Sequence, residues 1–386
     1  MKSVICQNAE LRVVDRPALK PGKGQVLLQV LRCGICGSDL HMRQHCDHMS
    51  DLVGRLGYPH IGRSSDEVVF GHEFCGEILD YGPRNLRKLP TGTRVCAVPM
   101  LRVGKEIDLV GLTPRAPGAY AEQVLVQASL MMPVPNGLDA DHAAMTEPMA
   151  VALHAVRRSQ IRKGEVAIVI GCGPVGLGVI CMLKASGVKT IVASDFSAGR
   201  RELALRCGAD VVIDPKQGSP FDNWKEYGFL GTAPMAFELV VGTREKLGLL
   251  PVPWWRAWRL AEALGAMPKR PVIFECVGVP GVLQKILEGA PMLSRVVVVG
   301  VCMQADTIEP ALAINKEIEL RFVLGYTPLE YRDALHMIAE GEVACGHMLT
   351  GTVGLEGVSA AFDALRDPER HAKILIDPQR RGDAVG

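Results

Sequence analysis

Three short stretches of this 386-residue chain carry side chains suited to metal chemistry. Cys33-Gly34-Ile35-Cys36-Gly37-Ser38-Asp39-Leu40-His41 offers thiols, a hydroxyl and an imidazole. Gly71-His72-Glu73 and Glu147-Pro148 add a second imidazole and two carboxylates. Thiolate, imidazole and carboxylate all suit zinc. Three protein ligands leave a fourth position for water or substrate, as a catalytic site requires. Spacing alone does not fix the set, because the stretches lie far apart and the short spaced motifs of structural zinc sites are absent. Cys33 and Cys36 also form a C-x-x-C, although the thioredoxin-like βαβ context of a redox pair is missing. Cys33 by itself reads as a small buried residue. His45, Cys46, His48 and His60 fall in the loop after this motif, where an extra metal site competes with a plain polar surface. His154 reads as a packing residue.

A second chemistry lies further along. The apolar run Val166–Ile170 leads into Gly171-Cys172-Gly173-Pro174-Val175-Gly176, followed by a helical pattern to Ser186 and a strand Thr190–Ser194 that ends at Asp195. Gly171 permits the tight turn, Gly173 lets a pyrophosphate approach the backbone, and Gly176 lets helix and strand pack closely. The helix N-terminus offers N–H groups and a positive dipole end to the phosphates. Asp195 stands about 20 residues on, the spacing of a ribose-binding acid. Its carboxylate accepts ribose hydroxyls and repels a 2′-phosphate, favouring NAD over NADP. Arg200 and Arg201 pull the other way if they face the cofactor, and are neutral if they face solvent.

These motifs need positioning elements, and the chain supplies two textures. Residues 1 to about 156 read as short alternating strands such as Gln25–Arg32 and Val124–Val126, punctuated by turns at Pro21-Gly22, Gly82-Pro83 and Thr91-Gly92. From about 157 to 323, apolar runs without alternation (Val272–Phe274, Val296–Val299) alternate with helical patterns, as in a parallel sheet buried on both faces. The end, 324–386, holds one helical stretch, Leu329–Glu340, and a strand-like Ala372–Ile376. Residues 216–270 form an unusually long connection carrying all four tryptophans, Trp224, Trp254, Trp255 and Trp258. Connections of this length are functional or structured in themselves. Packing a local cluster, walling the substrate pocket and forming an oligomer contact all remain open for Trp254, Trp255 and Trp258.

Composition sets bounds. Hydrophobic residues at 48% and charged residues at 22% exclude wholesale disorder. A net charge of +1 gives no electrostatic footprint for nucleic acid or an anionic membrane, so neither is expected as a partner. No apolar run approaches a membrane span. The N-terminus turns polar too early for a secretory signal. The 12 cysteines are too few for a disulfide scaffold, so a reducing, cytoplasmic setting is expected.

With CGICGSDLH, GHE and GCGPVG in this order, the chain resembles the zinc-containing medium-chain dehydrogenase/reductases, which include alcohol and sorbitol dehydrogenases. The resemblance covers nearly all of the chain apart from 216–270 and a lengthened 42–70 loop. It implies an α/β protein: a GroES-like, β-rich catalytic domain formed by 1–156 and 324–386, and an inserted Rossmann doubly wound domain, 157–323, with the active site in the cleft between them. It implies Cys36 and His72 as zinc ligands, and Glu147 at the place where sorbitol-dehydrogenase-like members use Glu. Glu73 would sit near the metal and can replace water as a ligand. Ser38 would take the substrate proton, His41 would end the relay to solvent, and Asp39 would orient His72. Cofactor contacts are expected from Gly171, Gly173, Pro174, Val175, Gly176, Asp195, Arg200, Val277, Gly300 and Val301. One departure is clear: after Thr93–Val95 comes Cys96 and then no cysteine until Cys172, so no second, structural zinc is expected.

The activity so implied interconverts an alcohol and an aldehyde or ketone with NAD, one catalytic zinc per chain acting as a Lewis acid on the alcohol oxygen. Two alternatives stand beside it: a zinc-free enone or quinone reductase of the same superfamily, and a non-catalytic nucleotide-binding protein on this scaffold. The unusual insert suggests a bulky or apolar alcohol. Family members pair as dimers or tetramers through the Rossmann domain, where Arg295–Gly300 and the next strand would lie.

Overall fold

The structure, a computed structural model, describes residues 1–85, 88–222, 224–266 and 268–382. The chain forms two compact units, Met1–His154 with Gly325–Gly386, and Ala155–Leu324.

The first unit opens with β1 (Lys2–Gln7), β2 (Glu10–Asp15), β3 (Gln25–Gly34) and helix α1 (Gly37–Gly54). There follow β4 (Val68–Val69), β5 (Glu73–Tyr81), β6 (Arg94–Ala97), the hairpin β7 (Met100–Val103) and β8 (Glu106–Leu109), β9 (Gln123–Gln127) and β10 (Met131–Pro133). Helices α2 (Ala140–Ala143) and α3 (Thr146–Ser159) lead out of it. The second unit runs β11 (Val166–Ile170), α4 (Pro174–Ala185), β12 (Thr190–Ser194), α5 (Ala198–Cys207), β13 (Val211–Ile213), α6 (Trp224–Tyr227), α7 (Ala233–Gly248), α8 (Trp254–Ala263), β14 (Pro271–Glu275), α9 (Val282–Gly289), β15 (Arg295–Val298), α10 (Pro310–Asn315) and β16 (Glu319–Phe322). The chain then returns to the first unit with α11 (Pro328–Ala339), β17 (Leu349–Val353), α12 (Val358–Ala364) and β18 (Lys373–Ile376).

In the first unit a sheet is ordered β10-β6-β5-β3-β18-β17, with β9 also on β3, and a smaller sheet is ordered β2-β1-β4. Between them lies one core that includes Leu28, Val30, Phe74, Tyr120 and Ile374. The register of the larger sheet brings remote residues together. Gly34 at the end of β3 faces Glu73 on β5 and Leu375 on β18, so three remote parts of the chain meet at one point.

The second unit is an all-parallel sheet ordered β13-β12-β11-β14-β15-β16. This is the doubly wound order in which the chain reverses between β11 and β14, and such switch points bind dinucleotides at the carboxyl ends of the strands. β14 is buried along its whole length and β11 along all but its last residue. That is why these runs show no alternation.

One expectation needs correction. The segment from 42 is not a loop at first: α1 continues to Gly54, with a kink at His45 (φ −134°, ψ 25°). The physical reason is an apolar stripe at helical spacing. Met42 is buried, and Cys46, Met49 and Val53 pack against the same core. His45, Cys46 and His48 are therefore helical residues, and only His60 lies in the loop beyond, beside Arg115 and Glu106. The long connection of the second unit is structured in itself, as α6, α7 and α8. Trp254 meets Trp255 and Trp258 edge-to-face at 6.2 and 6.4 Å, so these three pack as a local cluster. Among the described residues no helix is long and apolar enough to cross a membrane.

Candidate functional site

Each metal-site candidate is held by a defined element. Cys36 is the N-cap of α1, and Ser38, Asp39 and His41 occupy its first turns. His72 immediately precedes β5 and Glu73 begins it. Glu147 sits in the first turn of α3. Asp39, fully buried, closes the start of α1: its carboxylate accepts the Cys36 N–H at 3.0 Å and the Tyr120 hydroxyl at 2.7 Å. The other Asp39 oxygen stands 3.5 Å from His72 Nδ1. His72 Nε2 points the opposite way, 3.2 Å from Ser38 Oγ. The Asp39 carboxylate thus lies on one nitrogen of His72 and leaves the other facing the site.

The ligating atoms of Cys36, His72 and Glu73 all lie within 4.8 Å of one another, the one cluster of three or more such donors among the described residues. Glu147 is not part of this close set; its carboxylate accepts a hydrogen bond from Tyr326, although it remains near enough to His72 and Glu73 to feel both. His41 lies exposed on α1, its pKa lowered by burial of its ring and by His45. His154 hydrogen-bonds Glu330 at 3.0 Å, a satisfied packing residue.

The electrostatics fit a cation. Burial and then Glu73 push the Cys36 thiol up, while His72 pulls it down. Burial raises Glu147 to about 7, with Glu73 adding to the shift and His72 opposing it. Burial raises Asp39 as well. His72 is depressed by burial, but Asp39 and Cys36 outweigh that and lift it well above an ordinary imidazole. A thiol and three carboxyls thus converge on few cations. Zinc would supply the missing charge, and a thiolate, an imidazole and a carboxylate are the donors it prefers.

One participant has no counterpart in the motifs. Lys373, at the start of β18, donates to both oxygens of Glu73 at 2.8 and 2.7 Å and to the Ile35 carbonyl at 3.0 Å; both side chains are only 1% exposed. Burial pulls this ammonium down, but Glu73 and Cys36 outweigh it and raise its pKa. Gly34 makes the pair fit, because a Cβ there would strike Glu73 Oε2. The available signal is a lone lysine in an apolar strand, Ala372-Lys373-Ile374-Leu375-Ile376, a pattern of a buried charge that must be paired. Tyr120 and Tyr326 give no such signal.

In the second unit, Gly171 has φ +89°, and a Cβ would meet Val277 Cγ2 at 2.6 Å. A Cβ at Gly176 would strike the Gly171 carbonyl. Gly173 differs: it is the N-cap of α4, with Pro174 and Val175 following, and a Cβ there would have only Arg200 Nη1 near it, at 4.0 Å. That opening over the free N–H groups of a helix start is shaped for a phosphate. Asp195 accepts the Cys172 N–H at 2.7 Å and the Ser197 N–H at 2.8 Å, which holds its carboxylate beside the loop. The two arginines part company. Arg200 lies near Gly173 with a buried Nε that has no hydrogen-bond partner. Arg201 is bound to the Asp195 and Phe196 carbonyls and to Asp214. Val277 and Val301, past the ends of β14 and β15, leave apolar surface exposed, and Gly300 packs against Gly278 with no room for a side chain. Glu275 ties this rim together by accepting the Val277 and Gly278 N–H groups at 2.7 and 2.8 Å.

Comparison with known proteins covers both units. Residues 22–136 match the family described as Alcohol dehydrogenase GroES-like domain, and residues 174–340 the family described as Zinc-binding dehydrogenase. The (R,R)-butanediol dehydrogenase of Bacillus subtilis (strain 168) is 28% identical over 377 residues, 95% of this chain and 95% of that protein. The sorbitol dehydrogenase of Gallus gallus is 26% identical over 385 residues, 97% of this chain and 95% of that protein. The crystal structure of 2R,3R-butanediol dehydrogenase from Bacillus subtilis superposes with a TM-score of 0.75 at 27% identity, covering 98% of this chain and 99% of that one.

Proposed function

The chain belongs to the zinc-containing medium-chain dehydrogenase/reductases, and from that premise we propose that it is an NAD-dependent alcohol dehydrogenase interconverting a secondary alcohol and a ketone. The observation that carries this reading is the buried Cys36–His72–Glu73 donor cluster in a chain that also holds a complete dinucleotide cradle. Two relatives are named for butanediol and sorbitol, which carry neighbouring hydroxyls. A diol or polyol is accordingly the proposed substrate class, in place of the bulky apolar alcohol suggested by the insert.

Cys36, His72 and Glu73 would hold the zinc, with Glu147 beside them as an alternative carboxylate. When bound, zinc supplies Lewis-acid polarisation of the alcohol oxygen, and NAD supplies the hydride acceptor. The Ser38 hydroxyl, 3.2 Å from His72 Nε2, would relay the proton leaving the alcohol, giving up its own proton as it accepts one. His41, exposed on the same helix and with a lowered pKa, passes that proton to solvent. Asp39 keeps the His72 ring oriented, and Lys373 holds the Glu73 carboxylate. Asp195 binds the adenosine ribose, the opening at Gly173 takes the pyrophosphate, and Arg200 offers its unpartnered Nε to that anion. Val277, Gly300 and Val301 line the nicotinamide side.

Pairing of chains fits the edge strand β16, where Phe322 is 68% exposed next to unpaired backbone. A homodimer through this edge is our proposal. The 12 cysteines, none of them in a disulfide, suit a reducing compartment such as the cytoplasm.

The test is a screen of diols, polyols and simple alcohols with NAD and NADP, run with and without chelator, alongside zinc analysis of the purified protein. Chelator-sensitive, NAD-linked oxidation with one zinc per chain is expected. Activity on enones without zinc would favour the zinc-free reductase, and NADH binding without any turnover would favour the non-catalytic reading.

A further inference from the structure

The long connection between β13 and β14 has two parts with different physical character. Its base belongs to the sheet's core. Phe229 is buried, Trp224 packs on Gly231, and a bridge from Phe229 to Lys269 closes the segment. The remainder, α7, α8 and the turn between them, contributes no buried residue. Yet it is rich in exposed apolar side chains. Of the 25 large hydrophobic side chains exposed among the described residues, 11 lie between Phe237 and Leu264. Contiguous exposed apolar surface of this kind marks a contact site.

The turn shows what it contacts. Leu249-Leu250-Pro251-Val252-Pro253-Trp254-Trp255 is uncharged and exposed throughout, with Leu249 at 87%. Two prolines stiffen it. It is anchored from below, where the Arg244 guanidinium lies 4.6 Å from the Trp254 ring centre and Trp254 meets Trp258 edge-on. Around it stands a basic collar. Arg244 and Lys246 close α7, Arg256 and Arg259 open α8, and Glu245 is the only acid between 244 and 259. Four cations against one acid at the tip is a local concentration; Glu238 and Glu262 lie further along α7 and α8, away from the turn.

An apolar tip with tryptophan at its shoulder and a ring of arginine and lysine is the arrangement that seats in a phospholipid headgroup layer. The apolar side chains enter the acyl boundary, indole rings favour the interface, and the cations meet lipid phosphates. With 16 and 10 residues, α7 and α8 are too short to span a bilayer, so the contact is shallow. A second copy of the chain fits less well, because a two-fold contact through the tip would set the basic collar against itself. We infer that the α7–α8 hairpin docks this protein onto an anionic membrane surface. This inference is independent of the substrate and of the zinc site.

The full-length protein is sedimented with vesicles of phosphatidylcholine alone and of phosphatidylcholine with phosphatidylglycerol. Binding to the anionic vesicles, weakened by salt and accompanied by a blue shift of tryptophan fluorescence, is expected. Arg256→Gln with Arg259→Gln should weaken it about 25-fold, since each basic side chain near such a surface is worth about 5-fold. Leu249→Ser with Leu250→Ser should abolish the fluorescence shift. All four positions are exposed, so the melting temperature should not change. No binding to anionic vesicles, equal binding to neutral ones, or binding unaffected by both double variants would overturn the inference. So would a fall in oligomeric mass caused by the leucine variants, which would assign the face to a second copy.

Discussion

In the nucleotide-binding unit the cradle is made from one contiguous run, Gly171–Gly176, and it works through backbone: a positive φ at Gly171, an open Cβ position at Gly173, and the free N–H groups at the start of α4. In the other unit the donors are dispersed along the chain. Cys36, His72, Glu73 and Lys373 come from a helix cap, a strand entry and a strand at the far end of the chain, and they work through side chains. The first kind of site tolerates change in the surrounding fold, because its geometry is local. The second exists only when the sheet register around Gly34 is correct. Chemistry and stability are therefore coupled tightly in the donor unit and loosely in the nucleotide unit.

That contrast can be broken or sharpened by experiment. The largest effect is expected from Cys36→Ser. Turnover should fall at least about 10³-fold with loss of bound zinc, since a Lewis-acid metal is worth several kcal/mol to the transition state. Zinc analysis and kcat measured together check it, and full turnover with retained zinc would break the assignment. Next is Lys373→Met, which leaves the Glu73 carboxylate buried and unpaired. A loss of about 3–5 kcal/mol of unfolding free energy is expected for the zinc-free protein. Denaturant unfolding reads it, and zinc should restore part of the loss by drawing on the freed carboxylate.

In the nucleotide unit Gly173→Ala should behave differently. Its methyl group meets no protein atom closer than the Arg200 guanidinium, so the melting temperature should hold while the Michaelis constant for NAD rises about 10–100-fold. A large loss of stability would contradict the local character of this site. The fourth prediction concerns pH. Glu147 has a folded pKa raised from 4.5 to about 7, first by burial. Between these values the folded state holds a proton that the unfolded state has released, so stability falls as pH rises from about 4.5 to 7. In the zinc-free protein the effect is on the order of 3 kcal/mol. Glu147→Gln should flatten this slope in thermal melts, and an unchanged slope would place its cause elsewhere. The smallest effect is Asp195→Asn. It keeps an acceptor for the Cys172 N–H but removes the charge that opposes a 2′-phosphate, so the preference for NAD over NADP should shrink about 10-fold. Cofactor kinetics decide this.

Legibility follows the same division. The Gly171–Gly176 loop, the strand before it and Asp195 after it are readable because each depends on neighbours in sequence. The strand Thr190–Ser194 has the same bounds in the structure as in the apolar pattern. Motif position points to Cys36, His72 and Glu147, but no spacing can tell that Glu73 joins Cys36 and His72 while Glu147 turns to Tyr326. The 42–70 segment reads as a loop because its polar surface masks Met42, Cys46, Met49 and Val53, whose burial reveals the helix. Lys373 shows in the sequence only as a lone charge in an apolar strand, and its partner, 300 residues away, does not show at all.

The amino-acid sequence alone determined the alternating and unbroken apolar runs, the glycine turn with its ribose acid, and the inventory of thiol, imidazole and carboxylate groups, since all of these are properties of residues and their near neighbours. Tertiary structure alone decided which donors share a site, which charge holds Glu73, which of Arg200 and Arg201 is left unpartnered, and that the tryptophan segment stands out from the core as an exposed hairpin. Those outcomes depend on sheet register and burial, which arise only when distant segments pack.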